Sequence, residues 1–262
     1  MEIERKTCRA ADGVTIVYSA CGEGRPALLF IHGGLADRTF WNSELEEFGS
    51  RYRVIALDLP GHGESGTDRQ KWGLPEFGMD IKAVVEADDL SDIILFGNSL
   101  GGPVAVEAAL LMPQRVLGVV GVDTFQTLNY QMNAEETRKR IEAFHSDYIG
   151  TVKQMTNMLF HRDADPAIVT DAERRMQKTS PETAYGMFMG MVGYDPAASV
   201  RRLAVPLWSI NGDLYPTNVD EIQKVKPDFH VIIMKHMGHY PMLERPKEFN
   251  LHITTVVEAL TS

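Results

Sequence analysis

Ile93-Ile94-Leu95-Phe96-Gly97-Asn98-Ser99-Leu100-Gly101-Gly102 decides how the rest of the chain is read. Its four apolar residues read as a buried strand. Gly97 to Gly101 fit the pattern G-x-S-x-G, which places a serine on a sharp turn between a strand and a helix. The required helix follows, with Val104, Ala105, Val106, Ala108, Ala109, Leu110 and Leu111 apolar on most sides. Side chains at the positions flanking such a turn would collide with the adjoining strand and helix, which accounts for glycine at both. The first N–H groups of the helix point toward charge developing near Ser99.

Length and charge bound the alternatives. The chain has 262 residues, 44% hydrophobic, enough for one large single-core domain or for a core with an inserted subdomain. The net charge is −10, and no stretch is dominated by Lys and Arg. Nucleic acid and anionic membrane surfaces are therefore not expected as partners. The start of the chain lacks the apolar run of a signal peptide, and no stretch reaches transmembrane length. A soluble, cytoplasmic protein is expected, with a homodimer left open. Cys8 and Cys21 are too few for a disulfide framework; they fall on adjacent predicted strands, which leaves a bridge open, but a reducing compartment favours free thiols.

Strand candidates cover residues 3–9, 14–20, 27–31, 52–57, 93–96 and 115–122, the first two joined by the turn pair Asp12-Gly13. Helical spacing appears at 41–48, 76–87 and after Ser99. Buried strands alternating with helices predict an α/β fold, a mostly parallel twisted sheet with helices on both faces. From residue 124 to 202 the alternation stops and helical spacing dominates, at 134–148, 152–160, 167–177 and 182–191. This stretch is read as an inserted helical cap, with the core made of 1–123 and 203–262. Seven of the 13 methionines lie in it: Met132, Met155, Met158, Met176, Met187, Met189 and Met191. Methionine suits ordinary helix packing and adaptable apolar binding surfaces alike. Strands at 205–210 and 229–234, with helices at 219–225 and 247–260, bring the sheet to about eight strands.

Ligands and active groups in such sheets lie beyond the carboxyl ends of the strands. The loops carrying His32-Gly33-Gly34, Ser99 and Asp123 share that edge. A serine hydroxyl needs a general base and a carboxylate that orients it, in the chain order Ser, acid, His. His239 follows the last strand and is the expected base, with His236 its nearest rival. His32 and His62 sit in Gly-rich turns and are expected to fasten them. His145, His161 and His252 are assigned to helices, and His230 to the last strand. Two carboxylates reach the same edge, Asp213 after the strand that follows the cap and Asp123 before the cap. Backbone donors for an oxyanion are expected from Leu100 and from Gly34.

These pieces resemble the α/β-hydrolase superfamily over nearly the whole chain outside the cap. The resemblance rests on His32-Gly33-Gly34 with Trp41, Asp58-Leu59-Pro60-Gly61-His62-Gly63-Glu64-Ser65, Gly97-Asn98-Ser99-Leu100-Gly101 and Gly238-His239-Tyr240-Pro241. The subgroup is similar to the esterase, C–C hydrolase, lactonase and haloperoxidase-like branch. Ser99 departs from haloalkane dehalogenases and epoxide hydrolases, which carry Asp as nucleophile. His32-Gly33-Gly34-Leu35 lacks the third glycine of the lipase subgroup with a longer Gly run. The resemblance favours Asp213 as the acid, because the strand after the cap is its commoner source. Asp213 nevertheless directly follows Gly212, where relatives place the acid about three residues past a Gly. Asp123 therefore stays as the alternative.

The reaction this implies is hydrolysis of a carboxylic ester with a small to medium apolar part, through an acyl-enzyme. A lactone or vinylogous 1,5-diketone would use the same residues. A ligand receptor built on the hydrolase fold is the remaining class, and a missing triad member would favour it. No cofactor and no metal are expected.

Overall fold

Alternation of apolar strands and amphipathic helices produces one eight-stranded sheet in the computed structural model, which describes residues 2–129 and 133–262. In chain order the strands are β1 (Glu4–Arg9), β2 (Thr15–Cys21), β3 (Ala27–Ile31), β4 (Arg53–Leu57), β5 (Ile93–Asn98), β6 (Val116–Val122), β7 (Leu207–Gly212) and β8 (Phe229–Met234). They lie in the order β1-β2-β4-β3-β5-β6-β7-β8. β1 and β2 form the predicted hairpin and join the sheet antiparallel, whereas every pairing from β4 to β8 is parallel. All five residues of β3 and all six of β5 are buried, as expected of parallel strands covered on both faces.

Register decides where the site falls. Ile31 pairs with Gly97, Gly97 with Gly121, Val122 with Ile210, and Gly212 with Met234. The carboxyl ends of β3, β5, β6, β7 and β8 are thus level, and their loops share one edge. Cys8 pairs with Ile16 and Cys21 with Val54, so the two thiols lie well apart along the sheet and are free.

Helices α1 (Asn42–Phe48), α2 (Leu74–Ala87) and α3 (Gly101–Leu111) follow the early strands. A short 3-10 helix, Arg38–Trp41, leads into α1, with the Asp37 carboxylate accepting from Thr39 N at 2.8 Å. α3 is buried on nearly every side and packs against α2 and over β5 and β6. The approach at its start leaves no room for side chains. A Cβ on Gly97 would lie 2.1 Å from Gly101 O, and one on Gly101 would lie 2.4 Å from Ile31 O.

Between β6 and β7 the chain folds into α4 (Ala134–Ser146), α5 (Tyr148–Leu159), α6 (Pro166–Met176), α7 (Pro181–Gly190) and α8 (Pro196–Arg202). Four of these starts are written in the sequence. Asp147, Asp165, Ser180 and Asp195 each accept a backbone N–H of the first turn, and proline opens α6, α7 and α8. α4 packs on α5 and α7, and α5 on α6. α8 was not foreseen as a separate helix; its seven residues are too few to show a clear apolar period. The methionines divide by position. Met176 and Met187 are buried, Met158 is exposed, and Met132 lies outside the described residues.

The chain then closes with α9 (Val219–Val225), α10 (Pro241–Glu244) and α11 (Pro246–Thr261). α11 packs beside α1 and covers the face opposite α3: a Cβ on Gly118 of β6 would meet Leu260, and one on Gly121 would meet Phe125 on the α3 side. Among the described residues no helix is long and apolar enough to cross a membrane.

Candidate active site

The turn between β5 and α3 holds Ser99 in left-handed backbone, with φ +52°. That conformation is costly for a residue with a side chain and is kept only where the surroundings impose it. Here Ser99 N donates to Val122 O at 3.2 Å, and Ser99 O accepts from Gly102 N at 3.0 Å. The hydroxyl itself has no hydrogen-bond partner among the described residues. The neighbouring Asn98 was not singled out from sequence, yet it ties the edge together. Its buried amide donates to Val122 O at 2.9 Å and to His239 O at 3.0 Å. The end of β6 and the His239 loop are thereby fixed beside the serine.

His239 follows β8 and is 8% exposed. Its Nδ1 is 2.5 Å from Asp123 Oδ2. The Asp123 side chain is fully buried, and its other oxygen accepts from Gly212 N at 2.9 Å. A carboxylate at Nδ1 places the proton there and leaves Nε2 with a lone pair, the form a general base requires. Burial also makes the contact matter, because a charge shielded from water interacts more strongly.

Asp213, the acid favoured from sequence, does not meet His239. It is only partly buried, and its Oδ1 accepts from Met237 N at 3.2 Å. Lying one residue past Gly212, it reaches the segment leading into His239 and not the imidazole. Asp123 reaches the ring because β6 lies between β5 and β7, and its own left-handed backbone, φ +46°, turns the carboxylate across the edge.

The two expected oxyanion donors are open: neither Gly34 N nor Leu100 N donates a hydrogen bond among the described residues. A Cβ on Gly34 would lie 2.9 Å from Met187 Cε, so α7 covers this glycine closely. A cavity of about 240 Å³ adjoins Ser99 and Leu100. Leu74, Pro103, Phe125, Met191 and Tyr194 supply much of its apolar wall, and Thr124, Gln126 and Thr127 its polar part. Tyr194 is held by Glu107 of α3, whose Oε1 accepts from its hydroxyl at 2.9 Å and from Ser199 Oγ at 2.6 Å. No sequence signal marked this wall, since it assembles from segments scattered along the chain.

The other histidines fall into place around this core. His32 Nδ1 lies 2.7 Å from Gly33 O, and its Nε2 accepts from Leu59 N at 3.0 Å. His62 Nδ1 lies 3.1 Å from Pro60 O. Burial lowers His32 to a pKa of about 4, and burial with the His32 neighbour lowers His62 to about 3, so both stay neutral. His230 stacks on Trp208. His145 lies in α4 and His252 in α11, as expected, whereas His161 lies in the loop after α5. His236 is exposed and turned toward His161, with ring centroids 5.7 Å apart.

Glu244 is a further residue that sequence reasoning missed. Its carboxylate accepts from Gly238 N, Tyr240 N and His161 N, each at 3.3 Å, which fastens the loop on both sides of His239. Burial holds its carboxyl above the usual range. The Tyr240 hydroxyl is likewise held above its usual range, first by burial and then by Asp123 and Glu244.

Comparison with known proteins agrees with this architecture. Residues 28–250 match the family described as the alpha/beta hydrolase family. The chain is 34% identical over 247 residues to the dihydrolipoyllysine-residue acetyltransferase component of the acetoin cleaving system from Pseudomonas putida, covering 87% of this chain and 62% of that protein. The protein of the same description from Cupriavidus necator is 27% identical over 259 residues, covering 91% of this chain and 65% of that one. The chain thus spans less than two thirds of these relatives. The pimeloyl-[acyl-carrier protein] methyl ester esterase of Nitrosospira multiformis is 25% identical over 259 residues, covering 92% of this chain and 97% of that protein. Among solved structures, a thermophilic esterase from Thermogutta terrifontis superposes with a TM-score of 0.85 at 22% identity over the full length of both chains.

Proposed function

The chain belongs to the alpha/beta hydrolase family, and we propose that within it this protein is a serine esterase acting on carboxylic esters with a small to medium apolar acyl part. The observation that carries the reading is the buried 2.5 Å contact between Asp123 and His239, on the same sheet edge as Ser99. In this reading Asp123 is the acid of the triad, and Asp213 fastens the loop that carries the base.

Ser99 Oγ attacks the ester carbonyl while His239 Nε2 takes its proton. Charge builds on the carbonyl oxygen, where the free N–H groups of Gly34 and Leu100 receive it. Asp123 remains ionised and stabilises the imidazolium. The C–O bond to the alcohol then breaks, and His239 returns the proton to the departing oxygen. A water, deprotonated by the same nitrogen, attacks the acyl carbon, and the Ser99 oxygen leaves with that proton as the acid is freed.

We take residues 124–202 as a cap over the core formed by 1–123 and 203–262. Its Met191 and Tyr194 line the cavity beside Ser99, which suits an apolar acyl chain. Each buried methylene contributes about 0.8 kcal/mol, roughly a fourfold gain in kcat/KM per carbon until the cavity is full. The test is turnover of p-nitrophenyl esters from acetate to decanoate, with a γ-lactone beside them. Saturable hydrolysis that rises over the first carbons and then falls is expected. Hydrolysis of the lactone alone would move the protein to the lactonase reading, and no turnover of either would refute both the esterase and the lactonase readings.

A further inference from the structure

A second group of donor side chains stands just outside the proposed triad. His161 follows α5, Asp163 lies two residues on, and His236 is three residues before His239. One ligating atom from each lies within 4.8 Å of the other two, and no other trio of His, Cys, Asp or Glu among the described residues meets that condition. His161 Nδ1 accepts the Asp163 N–H at 3.2 Å, so this nitrogen carries a lone pair and not a proton, and an ion bound there takes the place of that long hydrogen bond. Asp163 Oδ2 is 3.4 Å from the same nitrogen. A tetrahedral ion with ligands at about 2.0–2.1 Å sets neighbouring ligand atoms about 3.4 Å apart. One edge of such a site is therefore already at its working length.

We propose that His161, Asp163 and His236 bind a divalent transition-metal ion, with Zn²⁺ the best match. Two imidazoles and one carboxylate are a borderline donor set, suited to Zn²⁺ and its neighbours and not to Mg²⁺ or Ca²⁺, which prefer all-oxygen shells. The fourth position falls to water, because Asp163 and His236 are exposed. Asp163 and His236 stand at the surface, where a side chain turns at little packing cost. Arg162 competes for Asp163 only weakly, at 3.9 Å and 85% exposed.

The two histidines come from different segments that are already joined. His239 N donates to Leu159 O at 2.7 Å, and His161 N donates to Glu244. An ion held by His161 and His236 would cross-link the end of α5 to the loop of the base. It performs no chemistry in the proposed triad, which needs no metal.

The test uses the full chain without an affinity tag, stripped with EDTA and dialysed. Calorimetric titration with ZnCl₂ is expected to give one equivalent, and an excess of about a hundredfold over Kd is expected to raise Tm by several degrees. MgCl₂ should do neither. His236→Asn, which tolerates the left-handed backbone there (φ +52°), should weaken Zn²⁺ binding by about tenfold or more and, at the same zinc concentration, cut the Tm shift to about half or less. His161→Gln should do the same, and His145→Asn on α4 should bind as the parent does. Absence of Zn²⁺ uptake, unchanged binding in His236→Asn and His161→Gln, or equal binding of Mg²⁺ would each overturn the proposal.

Discussion

Asp123 uses one carboxylate oxygen for His239 and the other for the Gly212 N–H, so the two aspartates on this edge can be separated by experiment. Asp123→Asn keeps the shape but reverses the hydrogen-bond demand on the imidazole, and a loss of roughly ten-thousandfold in kcat is expected, as in serine-protease triads. Asp213→Asn should cost less than about tenfold, since it removes charge from contacts with the Met237 and His236 backbone and with Lys235 and from none with the imidazole of His239. Comparing kcat of the two variants checks the assignment, and the large loss appearing in Asp213→Asn would reverse it. This choice was not legible in the sequence. Ser99 and His239 announce themselves by motif and chain order, but which carboxylate reaches the ring depends on how far each strand end projects, and that is a property of the assembled sheet. A second residue-scale expectation concerns Glu44. It is fully buried, and neither carboxylate oxygen has a protein hydrogen-bond partner. Burial holds its pKa well above the usual range. The folded chain therefore keeps a proton that the unfolded chain releases above about pH 4.5. This contribution is complete below that pH and is lost as pH rises through the folded value, by up to about 1.4 kcal/mol per unit. Urea midpoints of Glu44→Gln should fall less steeply with pH than those of the parent, and parallel curves would contradict the account.

The junction of β5 and α3 is the element on which the site depends. Gly97→Ala would push a methyl against the Gly101 carbonyl, and a destabilisation of about 3 kcal/mol is expected from denaturant midpoints. An unchanged midpoint would mean that the turn is less confined than its geometry implies. This junction was readable because backbone sterics write glycine directly into the sequence. Helix starts have a local cause of the same kind, with Asp165-Pro166 and Ser180-Pro181 opening α6 and α7 ahead of the 167 and 182 that helical spacing marks. The cavity wall was not readable, because Leu74, Phe125 and Tyr194 come from three separate stretches and carry no shared pattern. Tyr194 gives the wall its own test. Tyr194→Ala removes a side chain that α3 holds through Glu107, and the preferred ester should lengthen by about two carbons, each worth roughly fourfold in kcat/KM. An unmoved chain-length profile would place the acyl group elsewhere.

At the scale of the molecule, the parallel sheet from β4 to β8 brings loops that are distant in sequence to one edge. Ser99, Asp123 and His239 are joined there by backbone and side-chain bonds that also involve Asn98 and Glu244. Most of this arrangement was legible, since buried strands alternating with helices admit few topologies and place active loops at the carboxyl edge. The packing of residues 124–202 was less so, because helical spacing fixes neither the order in which helices contact one another nor what they cover. The central claim is that Ser99 is the nucleophile and His239 its base. Ser99→Ala is expected to reduce ester turnover by about a millionfold with the fold intact. The most direct measurement is chemical. The protein is treated with an alkyl fluorophosphonate, digested, and mapped by mass spectrometry. One phosphonyl adduct on Ser99 is expected, absent in Ser99→Ala and formed far more slowly in His239→Ala; no adduct, or one on another side chain, would contradict the account.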